Sequence, residues 1–211
     1  MNVIIIGANG VGKGTVAEKL QKKLGLTHVS TGDMFVEYKD RLSNAHEPEW
    51  FNEVRELISK SNDFVKKGVL VPNDITFRIL ELRKKELRDR PENKAHKGWM
   101  YDGFPRNFGQ AIELDAWIKR EGESVDLCMY LDAPQAVCAN RIKGRIAQLK
   151  KEGKEPKMSM EKELERLAKF FEEIHPLTYY YKELGILRKV YAGYSPIEVF
   201  ETASEVILAK F

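Results

Sequence analysis

The sequence predicts an α/β fold in which a parallel five-stranded sheet is covered by helices on both faces. One observation is that short runs rich in β-branched residues alternate with longer segments whose apolar residues recur at helical spacing. Such alternation is typical of parallel sheets, whose helical connections pack on both faces. A second observation is that the first apolar run, Val3-Ile4-Ile5-Ile6, leads through a glycine-rich turn directly into a helical segment.

The apolar runs and the helical segments between them give the predicted elements in chain order. The predicted strands are residues 3–6, 27–29, 99–101, 127–131 and 187–191. The predicted helices of the core are residues 13–24, 74–90, 107–119, 134–149, 159–184 and 195–210. Every strand is thus followed by helical sequence, as crossover connections in a parallel sheet require.

Two segments interrupt this rhythm and predict appendages to a single core domain. Residues 31–71, here called the insertion, contain no central strand and are predicted as helices separated by a turn at residues 43–48. Residues 146–158, here called the lid, are polar and contain Gly153 and Pro156, as expected of an exposed flap. The core then consists of residues 1–30, 72–145 and 159–211.

Composition narrows the class of protein. At 211 residues the chain fits one domain, and its net charge of +3 with 32% charged residues argues against a nucleic-acid-binding protein. The two cysteines, Cys128 and Cys138, lie ten positions apart without a nearby histidine, which predicts neither a disulfide nor a zinc site. The first apolar run is too short for a signal peptide or a membrane span. We therefore expect a cytoplasmic protein without a membrane partner.

The glycine-rich turn has the pattern of a phosphate-binding loop, Gly7-x-x-x-x-Gly12-Lys13, between a strand and a helix. Backbone amides of such a turn and the helix N-terminus point at an anion. Lys13 would add a charge on the β and γ phosphates, and Thr15 a hydroxyl near Mg²⁺. The usual pattern has Ser or Thr directly after the lysine, whereas here Gly14 intervenes. The alternative is an ordinary strand-to-helix turn with a lysine there by chance.

A carboxylate follows another predicted strand. Asp102 ends the run Trp99-Met100-Tyr101-Asp102. At the carboxyl end of a parallel strand beside the loop it would hold Mg²⁺ or its water ligands. Taken alone, an aspartate that caps a turn would look the same.

Four motifs together resemble the adenylate kinases, within the nucleoside monophosphate kinase family. They are "GKGT" at 12–15, "HVSTGD" at 28–33, "DGFPR" at 102–106 and "IHPLTYYY" at 174–181. The order and spacing of these motifs are similar to the family over nearly the whole chain. The resemblance implies transfer of the γ-phosphoryl group of ATP to AMP, giving two ADP, with Mg²⁺ as cofactor and nucleotides as partners. It leaves open whether the protein is a monomer or a homo-oligomer.

The resemblance also implies roles for individual residues. The implied catalytic residues are Lys13, Arg106, Arg145 and Arg166. The implied ATP-binding residues are Gly10, Val11, Gly12, Lys13, Gly14, Thr15, Arg141 and Arg145. The implied AMP-binding residues are Thr31, Val69, Val71, Gly103, Arg106, Gln110 and Arg166. Gln110 would recognise the edge of the adenine ring, and Thr15 and Asp102 would hold Mg²⁺ through water.

Elementary chemistry independently favours arginines in these places. Phosphoryl transfer needs two polyanions to be brought together and needs cations on the transferred group. Arg141 and Arg145 are four residues apart and therefore share a helix face, and Arg166 lies ten residues before Pro176. For each of these arginines the alternative is a solvated charge on a helix surface.

The chain departs from the family pattern in the insertion. Val36 stands where the family has an arginine that binds the AMP phosphate. Arg41 and Arg55 are candidate replacements, and the choice of acceptor is therefore open. Related alternatives are a UMP/CMP kinase and a nucleoside monophosphate kinase of broad specificity.

The lid departs as well, because Glu155 to Met158 replaces the family's Arg-x-Asp-Asp pattern. Lys154 and Lys157 are candidate substitutes for the missing arginine. The lid is short and lacks cysteines, so we expect no structural zinc and weak discrimination among nucleoside triphosphate donors. A function of another class, a nucleotide-dependent switch, is disfavoured because the guanine-binding pattern Asn-Lys-x-Asp is absent from the sequence.

Overall fold

A computed structural model of the chain describes residues 1–67, 69–93, 96–156 and 158–210, without the side chains of residues 65 and 92. The described strands are β1 (Asn2–Gly7), β2 (Thr27–Ser30), β3 (Trp99–Asp102), β4 (Leu127–Asp132) and β5 (Leu187–Tyr191). They form one sheet in the order β2-β3-β1-β4-β5, and every neighbouring pair is parallel. The predicted fold class is confirmed.

The helices follow the strands as the alternation predicts. Their bounds are α1 (Lys13–Leu24), α2 (Thr31–Arg41), α3 (Phe51–Lys67), α4 (Asn73–Asp89), α5 (Phe108–Arg120), α6 (Gln135–Lys151), α7 (Met160–Glu183) and α8 (Pro196–Leu208). A single turn of 3₁₀-helix, Pro91–Asn93, follows α4. No helix within the described residues combines the length and the apolar content of a membrane-spanning segment.

The sheet separates two apolar cores because successive strand residues point to opposite faces. In β1, Val3 and Ile5 join the core that packs on α1, α6 and α8. Ile4 and Ile6 join the core on the other face, which packs on α4, α5 and the second half of α7. Every residue of β1 is buried, as expected for the central strand of a doubly covered sheet.

The two cysteines are divided between these cores. Cys138 belongs to the core beside α1 and Cys128 to the core on the opposite face, and both thiols are reduced and buried. Burial raises the pKa of both thiols above the ordinary value.

The insertion is helical, as predicted, and has a small core of its own. Helices α2 and α3 pack on α4 around Met34, Tyr38, Phe51, Val54 and Ile79.

An ion-pair network joins α2, α4 and the turn after α2. Arg41 pairs with Glu47 at 2.6 Å and with Glu86 at 2.7 Å, and Arg83 pairs with both Glu86 and Glu37. The apolar core and these charges together fix the insertion on α4.

The segment predicted as the lid overlaps the end of α6. Helix α6 runs to Lys151, so residues 146–151, the first part of the predicted lid, are helical. Ile146 is buried in the core beside α1, which favours continuation of the helix. Gly153 follows the end of the helix with a left-handed φ of 69°, which suits glycine, and Lys154 N donates to Leu149 O across this end.

Candidate active site

A cavity of about 790 Å³ opens where β1 and β3 end and α1 begins. Its position follows from the topology, because the carboxyl ends of parallel strands and the amino ends of the following helices meet at one edge of the sheet. Predicted donor-site residues on its wall are Gly10, Val11, Gly12, Lys13, Gly14, Thr15, Arg141 and Arg145. Other predicted residues on its wall are Val69, Asp102, Gly103, Arg106 and Arg166.

Glycine is required in the loop for two different reasons. Gly10 has a φ of 78°, and a Cβ atom there would lie 2.5 Å from the carbonyl oxygen of Cys138. Gly12 has a φ of 105°, but a Cβ atom there would meet no protein atom within 4 Å. Gly10 is therefore required because a side chain there would clash with α6. Gly12, in contrast, leaves its backbone uncovered at the cavity.

Lys13 is held at the base of the cavity by carbonyl groups. Its Nζ donates to Gly7 O at 2.8 Å and to Ala8 O at 3.0 Å. Loss of solvation lowers the pKa of Lys13; Asp102 opposes this shift, while Arg106 and Arg166 reinforce it. A cation held only by neutral carbonyls and facing other cations is well placed to receive an anion.

Arg106 and Thr31 meet at one carbonyl group. Arg106 Nε donates to Gly103 O at 2.8 Å, and Thr31 Oγ1 donates to the same oxygen at 3.0 Å. Gly103 has a φ of 75°, which turns this carbonyl toward both side chains. Burial, and then the neighbouring charge of Arg166, lower the pKa of Arg106 to about 10, although Asp102 opposes the shift. The charge of Arg166 therefore lies close enough to repel that of Arg106.

Thr31, Val71 and Gln110 do not line the cavity. Gln110 is 2% exposed and lies behind Arg106. Its Oε1 accepts from the backbone N of Arg106 at 2.8 Å, and its Nε2 donates to Asn73 Oδ1 at 3.1 Å. One N–H of the Gln110 amide remains for a ligand. Recognition of adenine by this residue stays a prediction.

Arg145 has a partner that sequence reasoning missed. Its NH2 donates to Glu163 Oε1 at 2.8 Å, and the other oxygen of Glu163 accepts from Asn9 Nδ2 at 3.1 Å. Glu163 is only 8% exposed. It therefore links the phosphate-binding loop, α6 and α7 on one wall of the cavity. The one sequence feature that pointed to Glu163 is its position three residues before Arg166, which places both on one face of α7.

Arg141 joins the loop to the end of the sheet. Its guanidinium donates to Val11 O at 3.1 Å, Ala192 O at 2.8 Å and Tyr194 O at 2.9 Å. These bonds tie the guanidinium group to the backbone of the phosphate-binding loop and of the segment after β5, and Tyr194 also lines the cavity. Stacking of Arg141 on the donor base stays a prediction.

The candidate replacements for Val36 do not reach the cavity. Arg41 is held by Glu47 and Glu86. Arg55 donates to Leu42 O, Asn44 O and Asn52 Oδ1. The structure therefore does not support either arginine as the replacement, because both are bound inside the insertion and neither lines the cavity.

The candidate substitutes in the lid have different outcomes. Lys154 is exposed, pairs with Glu152 at 2.8 Å and does not line the cavity. The structure therefore does not support it as a phosphate ligand. Lys157 lies outside the described residues.

The proposed Mg²⁺ residues bring oxygen atoms to the cavity. Thr15 and Asp102 both line it. Asp102 Oδ2 lies 3.4 Å from His28 Nε2, yet that nitrogen makes no hydrogen bond. A hydroxyl and a carboxylate fit the oxygen preference of Mg²⁺. No group of three or more potential metal-ligating side chains occurs among the described residues.

Comparison with known proteins assigns the family. The family model described as adenylate kinase matches residues 5–186. The chain belongs to the adenylate kinase family. An adenylate kinase of Flavobacterium psychrophilum is 31% identical over 207 residues, covering 98% of each chain. One from Caldanaerobacter subterraneus is 30% identical, covering 99% of this chain and 96% of its own.

A third adenylate kinase, from Agathobacter rectalis, is 30% identical, and the alignment covers the full length of both chains. That alignment spans 234 positions, compared with 211 residues here. The Agathobacter family member therefore has residues without a counterpart in this chain.

Proposed function

We propose that this protein catalyses reversible transfer of the γ-phosphoryl group of ATP to AMP, giving two ADP, and thereby balances cytoplasmic adenine nucleotides. The observation that carries the proposal is the cluster of Lys13, Arg106 and Arg166 around one cavity beside a glycine-rich loop. Family membership supports the same reaction.

The residues of this chain would act mainly by positioning and by electrostatic stabilisation. The bare amides at Gly10 and Gly12 and the ammonium of Lys13 would hold the donor phosphates. Arg106 and Arg166 would bring the acceptor phosphate into line, and their mutual repulsion would be relieved when it binds. Mg²⁺ would neutralise charge on the donor phosphates, with Thr15 and Asp102 as its nearest protein groups.

The insertion and the lid would close over the two substrates. Closure would exclude water, which would otherwise convert phosphoryl transfer into hydrolysis. Of the predicted lid, residues 152–158 lie beyond the end of α6, so few side chains are available there to distinguish donor bases. We accordingly propose that ATP, GTP, CTP and UTP differ as donors by less than about a hundredfold, or about 2.7 kcal/mol.

A broader acceptor range is the second candidate function. Val36 supports it, because the insertion places no described arginine on the cavity wall. Gln110 favours AMP as the acceptor, because its remaining N–H could donate to the adenine ring. The two candidates differ only in the acceptor base.

The test is to incubate the protein with Mg²⁺, one triphosphate and each of AMP, UMP, CMP and GMP, and to measure diphosphate formation. We expect turnover with AMP on the order of 1 to 100 per second. Comparable rates with UMP or CMP would establish the broader function. Triphosphate hydrolysis without any acceptor requirement would contradict both, and Lys13→Ala controls for contaminating kinases.

A further inference from the structure

Among the described residues, the insertion places no arginine on the cavity wall and contributes Lys67 as its one cation there. A nucleoside monophosphate carries close to two negative charges on its phosphate at neutral pH. Val36 offers no charge, and Arg41 and Arg55 are held elsewhere. Of the predicted acceptor-binding residues, Arg106 and Arg166 are the two that carry a positive charge. A further cation on the cavity wall would help to balance the charge of the acceptor phosphate.

Lys162 lies on that wall, in the first turn of α7. Its Nζ donates to the backbone carbonyl of Lys66 at 2.6 Å, in the last turn of α3. This contact joins α7 to the insertion, where Lys67 and Val69, close to Lys66 in the chain, also line the cavity.

The neighbouring residues show which end of the cavity Lys162 faces. Glu163 turns toward the phosphate-binding loop, where it accepts from Asn9. Lys162 instead reaches the insertion, and Arg166, one helical turn later, lines the same cavity as Arg106. The side chains of Lys162 and Arg166 thus approach the acceptor end from α7, and Arg106 approaches it from the segment after β3.

Lys162 also has donors left for a ligand. An ammonium group has three N–H donors, and the carbonyl of Lys66 uses one. Among the described residues, no carboxylate lies within ion-pair distance of Lys162, whereas Arg145 and Lys169 on the same wall pair with Glu163 and Glu173. The charge of Lys162 is therefore available to a bound anion.

We propose that Lys162 binds the phosphate of the acceptor nucleotide together with Arg106 and Arg166. The proposal rests on the proposed function and names a further residue of its acceptor site. Lysine suits this place because its ammonium group is a compact point charge on a flexible stem, with donors for both the Lys66 carbonyl and a phosphate.

The test compares Lys162→Gln, Lys162→Arg and the control Lys182→Gln, an exposed position on the same helix that does not line the cavity. Calorimetry or competition would measure the affinity of each variant for AMP and for adenosine, which lacks the phosphate. Glutamine can still donate to the Lys66 carbonyl but carries no charge. We expect Lys162→Gln to weaken AMP binding about tenfold, or about 1.4 kcal/mol, and to leave adenosine binding unchanged. Lys162→Arg and Lys182→Gln should stay within threefold of the parent.

Two results would overturn the proposal. Unchanged AMP affinity in Lys162→Gln would show that the charge is not used. Equal weakening of AMP and adenosine would show that Lys162 only latches α7 to the insertion. The parent protein decides the proposed function separately, through diphosphate formation from ATP and AMP. If the parent forms diphosphates and Lys162→Gln binds AMP as tightly as the parent does, only the proposed role of Lys162 is contradicted.

Discussion

At the scale of single residues, the site is built from charges that are poorly satisfied without substrate. Lys13 is held by carbonyls only, and Arg166 lies close enough to Arg106 to repel its charge. Like charges in an enclosed cavity destabilise the ligand-free fold and strengthen anion binding. Activity and stability should therefore respond in opposite directions when one of these charges is removed.

Lys13→Met tests this opposition. Methionine keeps much of the length and apolar volume of the lysine stem but cannot hold phosphate. We expect kcat to fall about a thousandfold, as for loss of a group that stabilises the transition state. The free energy of unfolding without ligand should stay the same or rise by about 1 kcal/mol. Steady-state kinetics and urea unfolding measure the two effects, and a loss of stability above about 1 kcal/mol would refute the argument.

Glu163→Gln tests the carboxylate beside Arg145. The substitution keeps a hydrogen bond for Asn9 but removes a negative charge from the donor phosphate site. Because Arg145 would no longer be shared with a carboxylate, we expect the KM for ATP to fall about threefold, while the KM for AMP stays unchanged. Glu161→Gln, on the same turn but outside the cavity wall, is the control. A higher KM for ATP would mean that Glu163 positions Arg145 productively.

At the scale of elements, the insertion is fastened to α4 by charge as well as by its apolar core. Glu86 lies at the centre of this contact, bound by Arg41, Arg83 and the hydroxyl of Tyr38. Burial raises the pKa of Glu86, but the hydrogen bonds from Arg41 and Arg83 outweigh it, and the pKa falls to about 2.

Glu86→Gln should expose this contribution through its pH dependence. Because the pKa in the folded state lies below the ordinary 4.5, the stabilisation is complete above about pH 4.5 and is lost as the pH falls toward 2. We expect the variant to lose about 2 to 3 kcal/mol at pH 7 and to match the parent near pH 2. Urea unfolding at several pH values measures this.

Glu81→Gln is the matched control for Glu86→Gln, since Glu81 pairs on the exposed surface of α4 with Arg78. Its cost should stay below about 1 kcal/mol. A pH-independent difference between Glu86→Gln and the parent would show that shape rather than charge holds the insertion.

Local sequence patterns were sufficient to predict most of these elements. Periodicity and glycine punctuation located every strand and core helix to within two residues at either end. The end of α6 was predicted two residues early, because Ile146 packs into a core assembled from other elements. Glu163 was missed for the same reason, since its partners Asn9 and Arg145 are distant in the chain.

At the scale of the whole molecule, the parallel sheet gathers the site from segments separated by much of the chain. Positions within motifs were predictable because the loop, β3 and α7 each carry a local signature. Which arginines are already bound by other groups was not predictable. The carboxylates that hold Arg41 and the carbonyls that hold Arg55 come from contacts that no short pattern encodes.

Substrate binding should stabilise the molecule as a unit. A ligand at a hundred times its Kd adds about 2.7 kcal/mol to the free energy of unfolding. For a chain of this size we expect Mg-ATP alone, or AMP alone, to raise Tm by about 5 to 10 °C. Scanning calorimetry measures the shift. Lys13→Met should lose the response to Mg-ATP, and an equal response from the variant would contradict the role of Lys13.

The placement of the two cysteines has a practical consequence. Cys128 and Cys138 are enclosed in separate cores, and burial keeps their thiols protonated. Maleimide reagents should therefore leave the native protein unmodified. A new cysteine on the exposed end of the insertion or of α6 could then carry a fluorophore without prior removal of the native pair, so that opening and closing of the cleft could be followed by energy transfer.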